Sequence, residues 1–323
     1  MITVSRYSDS NKEEWDAFVC AAKNSVFFFQ RDYMEYHADR FSDHSLLFYQ
    51  ERKPIAVLPA NLRDRTLISH GGLTFGGFLL DASMTTRLML GLFDSLIDYL
   101  RQNDITTLHY KCVPAIYHLV PAEEDLYALF VRGARLCRRD VTSTVQLQGR
   151  PPFQERRRRG ARKAQEAGIE LRATEEYGAF WAILTENLQR VHRTQPVHSM
   201  AEIETLHGKF PDNIKLFGAY RAGRLLAGVV VFENATVAHA QYISASEEGK
   251  KAGALDALFA WLINEAYRDK RYFDFGISTV ENGRVLNEGL IDQKEGFGAR
   301  AIVHDQYEIE VASAAGTPFP TAA

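Results

Sequence analysis

Two kinds of hydrophobic pattern alternate along the chain, and the series runs twice. Strand-like stretches, rich in β-branched and aromatic residues, include SLLFYQERKPIAVLPANL in the first half and IKLFGAYRAGRLLAGVVVF in the second. Each reads strand, turn, strand. In the first half ISHGG then leads to the helical stretch TTRLMLGLFDSLIDYLRQN and the strand TTLHYK. In the second, the strand VAHAQYIS leads to the helical stretch ALDALFAWLINEAYRDK and the strand RYFDFGIS. That helix repeats Leu255, Leu258, Phe259 and Leu262 at the i, i+3, i+4, i+7 spacing of one buried face, which makes them core.

Each half closes with a short helix and a long strand, DLYALFVRGARLCRRDVTSTVQL and LIDQKEGFGARAIVHDQYEIEV. The offset is consistent: Asp140 and Asp305 are 165 residues apart, as are Ala134 and Ala299, while His70 and His239 are 169 apart, a drift that a small indel explains. Two copies of this length are a duplicated domain and not a solenoid. Between them GRPPF, from Gly149 to Phe153, punctuates the chain. The expected domains are therefore residues 1–148 and 149–311, followed by a flexible tail at 312–323.

Composition narrows the class without choosing within it. The 323 residues are 46% hydrophobic and 24% charged, enough to build two cores and too apolar for a disordered chain. A net charge of −3 gives the chain as a whole no attraction to DNA. No stretch has the length of a signal peptide core or a bilayer span, so a cytoplasmic protein is expected. Cys20, Cys112 and Cys137 form no CxxC pair, and neither a disulfide framework nor a metal site is expected.

The order of elements resembles the GNAT (Gcn5-related N-acetyltransferase) fold, a mixed α/β arrangement whose mostly antiparallel sheet is flanked by helices. The duplication, with ERRRRGARKAQEAGIELR after the linker, YFDFGIS on the fifth strand and QKEGFGARA before the last strand, resembles the FemAB-like branch, which pairs two such domains. The resemblance implies an acyltransferase taking an acyl group from acetyl-CoA or another acyl-CoA. Its acceptor would be an amine on a small or nucleotide-linked molecule, such as an amino sugar for the cell envelope. Two other functions stay open. One is aminoacyl-tRNA-dependent transfer, with tRNA as partner; the other is a double-GNAT module that binds a ligand without chemistry.

The resemblance also places candidate residues. The donor's pyrophosphate would sit on the helix after the fourth strand, in SEEGKKAGALDAL, where Gly249 and Gly253 allow close approach and Lys250 and Lys251 add charge. No such segment follows the first copy's sheet. Gln241 and Tyr242 on VAHAQYIS would border the donor's pantetheine arm, and strict alternation puts His239 and Gln241 on one face with Tyr242 on the other. His239 is the candidate base for the acceptor amine. Asp274 either orients His239, binds the substrate ammonium, or caps the turn at Gly276. Lys294 offers a cation to the acceptor's anionic group, or closes a helix end. His239, Asp274 and Lys294 are expected to converge on a cleft between the two copies. Residues 277–297 lack the tyrosine that GNAT enzymes often use to protonate the leaving thiolate, so Asn287, water or unassisted departure takes its place. The basic run offers a helix with Arg156, Arg159 and Lys163 on one side and a Glu155–Arg159 pair. The glycine-rich SHGGLTFGGFLL around His70 is either a cleft lining or a turn.

Overall fold

The computed structural model describes residues 2–314 and divides the chain into two compact units. Unit one holds the chain up to Asp140, the loop Asn282–Arg284 and the chain from Val303 onward; unit two holds Val141–Glu281 and Val285–Ile302. Residues 315–323 of the expected tail lie outside the described residues. Among the described residues no helix is long and apolar enough to cross a membrane, and no group of three His, Cys, Asp or Glu side chains is placed to hold a metal.

In chain order unit one begins with β1 (Ile2–Arg6), α1 (Lys12–Ala21) and α2 (Arg31–Met34). It continues with β2 (Leu46–Gln50), β3 (Lys53–Leu58), β4 (Asn61–Arg63), β5 (Thr66–Ile68) and β6 (Leu79–Leu80). After α3 (Thr86–Gln102), β7 (Thr107–Lys111) and α4 (Glu124–Val131) comes β8 (Arg135–Gln146), whose last six residues belong to unit two. The expected helix forms as α3 because Thr85 caps it, accepting from Leu88 N, while Met89, Leu92, Phe93, Leu96, Ile97 and Leu100 line one buried stripe. β1, β2, β3 and β6 make one antiparallel sheet.

Unit two continues with α5 (Glu155–Glu166), β9 (Glu170–Thr174), α6 (Tyr177–His192) and α7 (Met200–Lys209). Next come β10 (Ile214–Arg221), β11 (Arg224–Glu233), β12 (Val237–Ala245), α8 (Glu247–Ala252) and α9 (Ala254–Trp261). The chain then runs through β13 (Tyr272–Ile277), a hairpin of β14 (Thr279–Val280) and β15 (Val285–Leu286), α10 (Glu288–Glu295) and β16 (Arg300–Glu310). β16 passes into unit one at Val303, where it pairs antiparallel with β7. The sheet of unit two orders the end of β8, then β13, β12, β11, β10 and β9. All its neighbours are antiparallel except β12 and β13. Leu258, Phe259 and Leu262 pack on Val229, Val231, Ala238 and Ala240, the core face that the helical spacing predicts. The predicted helix stops short: after Trp261 it widens into a π turn over Leu262–Ala266.

Candidate functional site

β12 and β13 are joined by only three rungs, Val237↔Tyr272, Ala238↔Phe273 and His239↔Asp274. Beyond them the strands part. A bulge bends β12 just there: Val231 pairs with Ala240 and Val230 with Tyr242, so Gln241 is the extra residue and lies outside the ladder. The opening forms a pocket of about 370 Å³. Leu184, Ile243, Leu255, Phe259, Phe275 and Phe297 give it apolar walls, and Asn187, Lys250, Gln293 and Lys294 supply polar atoms.

The bulge also changes a predicted orientation. Phe232 and Val230, two apart on β11, share a face, and they oppose His239 and Tyr242. Tyr242 therefore joins His239's face, against the strict alternation read from the sequence. There its hydroxyl bonds Nδ1 of the buried His198, and its ring meets Trp181 edge-on at 5.1 Å. The sequence carries no local signal for His198, which lies in an irregular segment 44 residues from its partner.

His239 and Asp274 occupy the last rung and touch: His239 Nδ1 lies 2.7 Å from Asp274 Oδ2. Asp274 is fully buried, so its carboxylate needs donors. Thr142 Oγ1 and Thr144 Oγ1 donate to Oδ1 at 2.5 and 2.7 Å, and Gly276 N donates to Oδ2 at 3.3 Å. Two of the contacts read as alternatives from the sequence, orienting His239 and capping the turn at Gly276, are thus made together. With Nδ1 held by the carboxylate, the proton of a neutral ring sits on Nδ1 and the lone pair on Nε2. Nε2 makes no hydrogen bond to any described residue.

Lys294 is buried at the end of α10, beside the same turn. Its Nζ donates to Gly276 O at 2.8 Å, Ile277 O at 2.9 Å and Ser278 Oγ at 2.9 Å. Burial pulls its pKa down to about 8, against the opposing attraction of Asp274. The ammonium therefore holds the backbone at the end of β13, and all three of its protons are engaged there.

The segment expected to receive a pyrophosphate is built differently. Ser246 caps α8 by accepting from Gly249 N at 3.1 Å. A Cβ on Gly249 would lie 2.4 Å from Leu226 O, and one on Gly253 (φ 76°) 2.4 Å from Gly160 O, so protein carbonyls fill the space these glycines leave. Glu247 and Glu248 occupy the first turn of α8. Hydrogen bonds from Lys250 and Arg190 hold Glu247 down to about 2, and Arg221 and Arg224 pair with Glu248. At the start of α9, Asp256 Oδ1 takes Arg157 Nη1 at 2.7 Å, and α5 comes so near that a Cβ on Gly160 would lie 1.9 Å from Asp256 Oδ2. Carboxylates thus already sit where a helix start attracts an anion, and the residues present do not fit a pyrophosphate at either helix. Lys251 lies apart, in a shallow pocket with Lys163, Arg221 and Glu248. In α5 itself Glu155 pairs with Arg158 and Arg162, not with Arg159, while Arg156 reaches Asp292.

Residues 153–282 match the family described as Acetyltransferase (GNAT) domain. No curated protein matches the sequence. The fold is similar to the crystal structure of FemX, with a TM-score of 0.67 and 10% identity over 95% of this chain and 96% of that one. It is also similar to L-PGS from Bacillus licheniformis (0.62, 13%, 92% and 91%). A third similar structure is a tandem GNAT protein from the clavulanic acid biosynthesis pathway (0.52, 13%, 96% and 99%). Residues 153–282 thus carry a GNAT acetyltransferase domain, and the chain as a whole shares its fold with FemX and with a tandem GNAT protein along nearly its whole length.

Proposed function

We propose that the chain is an N-acyltransferase whose reaction runs in unit two, with His239 as the base. The observation that carries this reading is the His239–Asp274 rung at the point where β12 and β13 part. Nε2 takes the proton from the acceptor's ammonium, and Asp274 stabilises the imidazolium that results. The freed amine attacks the donor's acyl carbon, held in the opening beside the rung. The oxyanion donor in this reading is the N–H of Gln241, the bulge residue that lies outside the ladder. Collapse of the adduct expels the donor's thiolate or alkoxide, which leaves with the proton from His239; the ring, neutral again, takes the second proton from the adduct's nitrogen, giving the amide, and passes it to solvent. Lys294 keeps the wall at Gly276 to Ser278 in place. The acceptor we favour is an amine on an amino sugar or similar cell-envelope precursor, met in the cytoplasm.

The donor's arm lies in the apolar pocket, and its headgroup stays off α8 and α9, which do not fit a pyrophosphate. That misfit favours a second reading for the donor, an aminoacyl ester on tRNA instead of acyl-CoA. The outward arginines of α5, with Arg159 and Lys163 outside every ion pair seen, suit a polyanion. Calorimetric titration with acetyl-CoA, acetyl-pantetheine and aminoacyl-tRNA, followed by transfer assays on an amine panel, tests both. Transfer that persists in His239→Ala would end the mechanism, and micromolar binding of acetyl-CoA but not of acetyl-pantetheine would restore the pyrophosphate site.

A further inference from the structure

Asp274 has no exposure at all, and such a carboxylate stays ionised only if its oxygens are satisfied; otherwise it takes up a proton. Gly276 N and His239 serve Oδ2, the oxygen that faces the ring. Oδ1 depends on two threonine hydroxyls, both from β8: Thr142, which is fully buried, and Thr144, at 5% exposure. The strand alternates, so residues 142 and 144 point to one face, and β8 is registered on β13 with Thr144 opposite Asp274. Valine has nearly the volume of threonine and lacks only the hydroxyl's hydrogen bond.

We propose that Thr142 and Thr144 are positioning residues that set the proton affinity of the His239–Asp274 pair. This rests on the reading of His239 as base. Two donations fix the carboxylate's rotation, so that Oδ2 alone meets Nδ1, and they spread its negative charge. Without them the anion leans more heavily on His239, and the pair binds its proton more tightly. His239 would then remain protonated to higher pH and serve less well as a base near neutrality. The charged group facing the pair from elsewhere is Lys294 on α10, whose attraction to Asp274 works in the same direction as the threonines. Thr142 and Thr144 precede the matched family domain at 153–282, so that domain by itself lacks half of the donors seen on Asp274.

The test is a nitrogen-15 NMR titration of the His239 ring in the full-length protein, which needs no substrate. Thr142→Val and Thr144→Val should each raise the titration midpoint, and together raise it by about one pH unit. Thr142→Ser and Thr144→Ser, which keep the hydroxyl, should return it to the wild-type value. If the double valine variant does not fold, each Val and Ser pair at one position carries the same comparison. An unchanged midpoint in folded valine variants would overturn the proposal, as would a serine variant that shifts as far as the valine. A moved titration in a protein that transfers no acyl group would keep the positioning role and discard the reaction.

Discussion

Each unit contains one pair of parallel strands joined by three rungs, and the units differ in the chain beyond the third rung. In unit one β5 and β7 pair through Thr66↔Thr107, Leu67↔Leu108 and Ile68↔His109. There the two strands do not part. Ser69 N bonds His109 O, Lys111 N bonds Ser69 Oγ, and the glycine-rich stretch folds back over the gap. It packs so closely that a Cβ on Gly76 would lie 1.9 Å from Ser69 O. In unit two the matching space is the apolar pocket, and the third rung is His239↔Asp274. Both units commit a buried lysine to the carbonyls past the rung: Lys111 to His70 and Leu73, Lys294 to Gly276 and Ile277. Burial pulls each down to about 8. The shared ladder and lysine are thus architecture, while the rung's side chains and the chain beyond it separate a unit closed at this point from one with a pocket there.

The sharpest way to break that contrast is to give unit two the residue of unit one's rung. His239→Ile, like His239→Ala, should lower the transfer rate by roughly 10²–10⁴-fold in single-turnover assays. A rate within a few-fold of wild type would mean that the rung is not where the units diverge. Next in size is the seal. Gly76→Ala forces a methyl group onto backbone that cannot yield, and should cost about 1–3 kcal/mol in denaturant unfolding. A wild-type midpoint would show the seal to be loose.

The lysines allow a test by pH. In the folded chain Lys294 loses its proton near 8, and in the unfolded chain near 10.5, so between those values the unfolded state binds more protons. Stability from this group therefore rises as pH increases across the window, by about 1–3 kcal/mol in all. Urea unfolding from pH 7 to 10 should show the rise in wild type and a smaller one in Lys294→Met. Equal slopes would remove the buried ammonium from the account. The smallest effect expected is at α8. Replacing Glu247 and Glu248 by Gln relieves repulsion at the first turn, and should strengthen coenzyme A binding by less than about tenfold because α5 still covers α9. A larger gain in calorimetry would reveal a latent phosphate site.

What the sequence made legible was whatever depends on local period. The β10 to β12 meander, the stripe of α3, the core face of α9 and the adjacency of His239 to Asp274 all come from alternation, helical spacing and strand order. What it hid depends on partners distant in the chain. The bulge at Gln241 exists only in register with β11, so Tyr242 could not be assigned its face from β12 alone. Thr142 and Thr144 look like ordinary strand residues until β8 meets β13, 130 residues on. Gly249 and Gly253 suggested a ligand because glycine marks a close approach without saying what approaches; Leu226 O and Gly160 O do.

The route of the chain also bears on how the protein is made. Unit one's core includes Ile309 and Val311, and β7 pairs with Gln306 to Glu310 of β16. A ribosome that has finished Asp140 must therefore add the whole of unit two before it reaches Val303. At roughly 5–20 residues per second that interval is on the order of ten to thirty seconds. Throughout it the edge of β7 is without its final neighbour, while Val141–Ile302 can close first. The half translated second is thus the one able to mature first, and until then the nascent first half presents an unpaired strand edge.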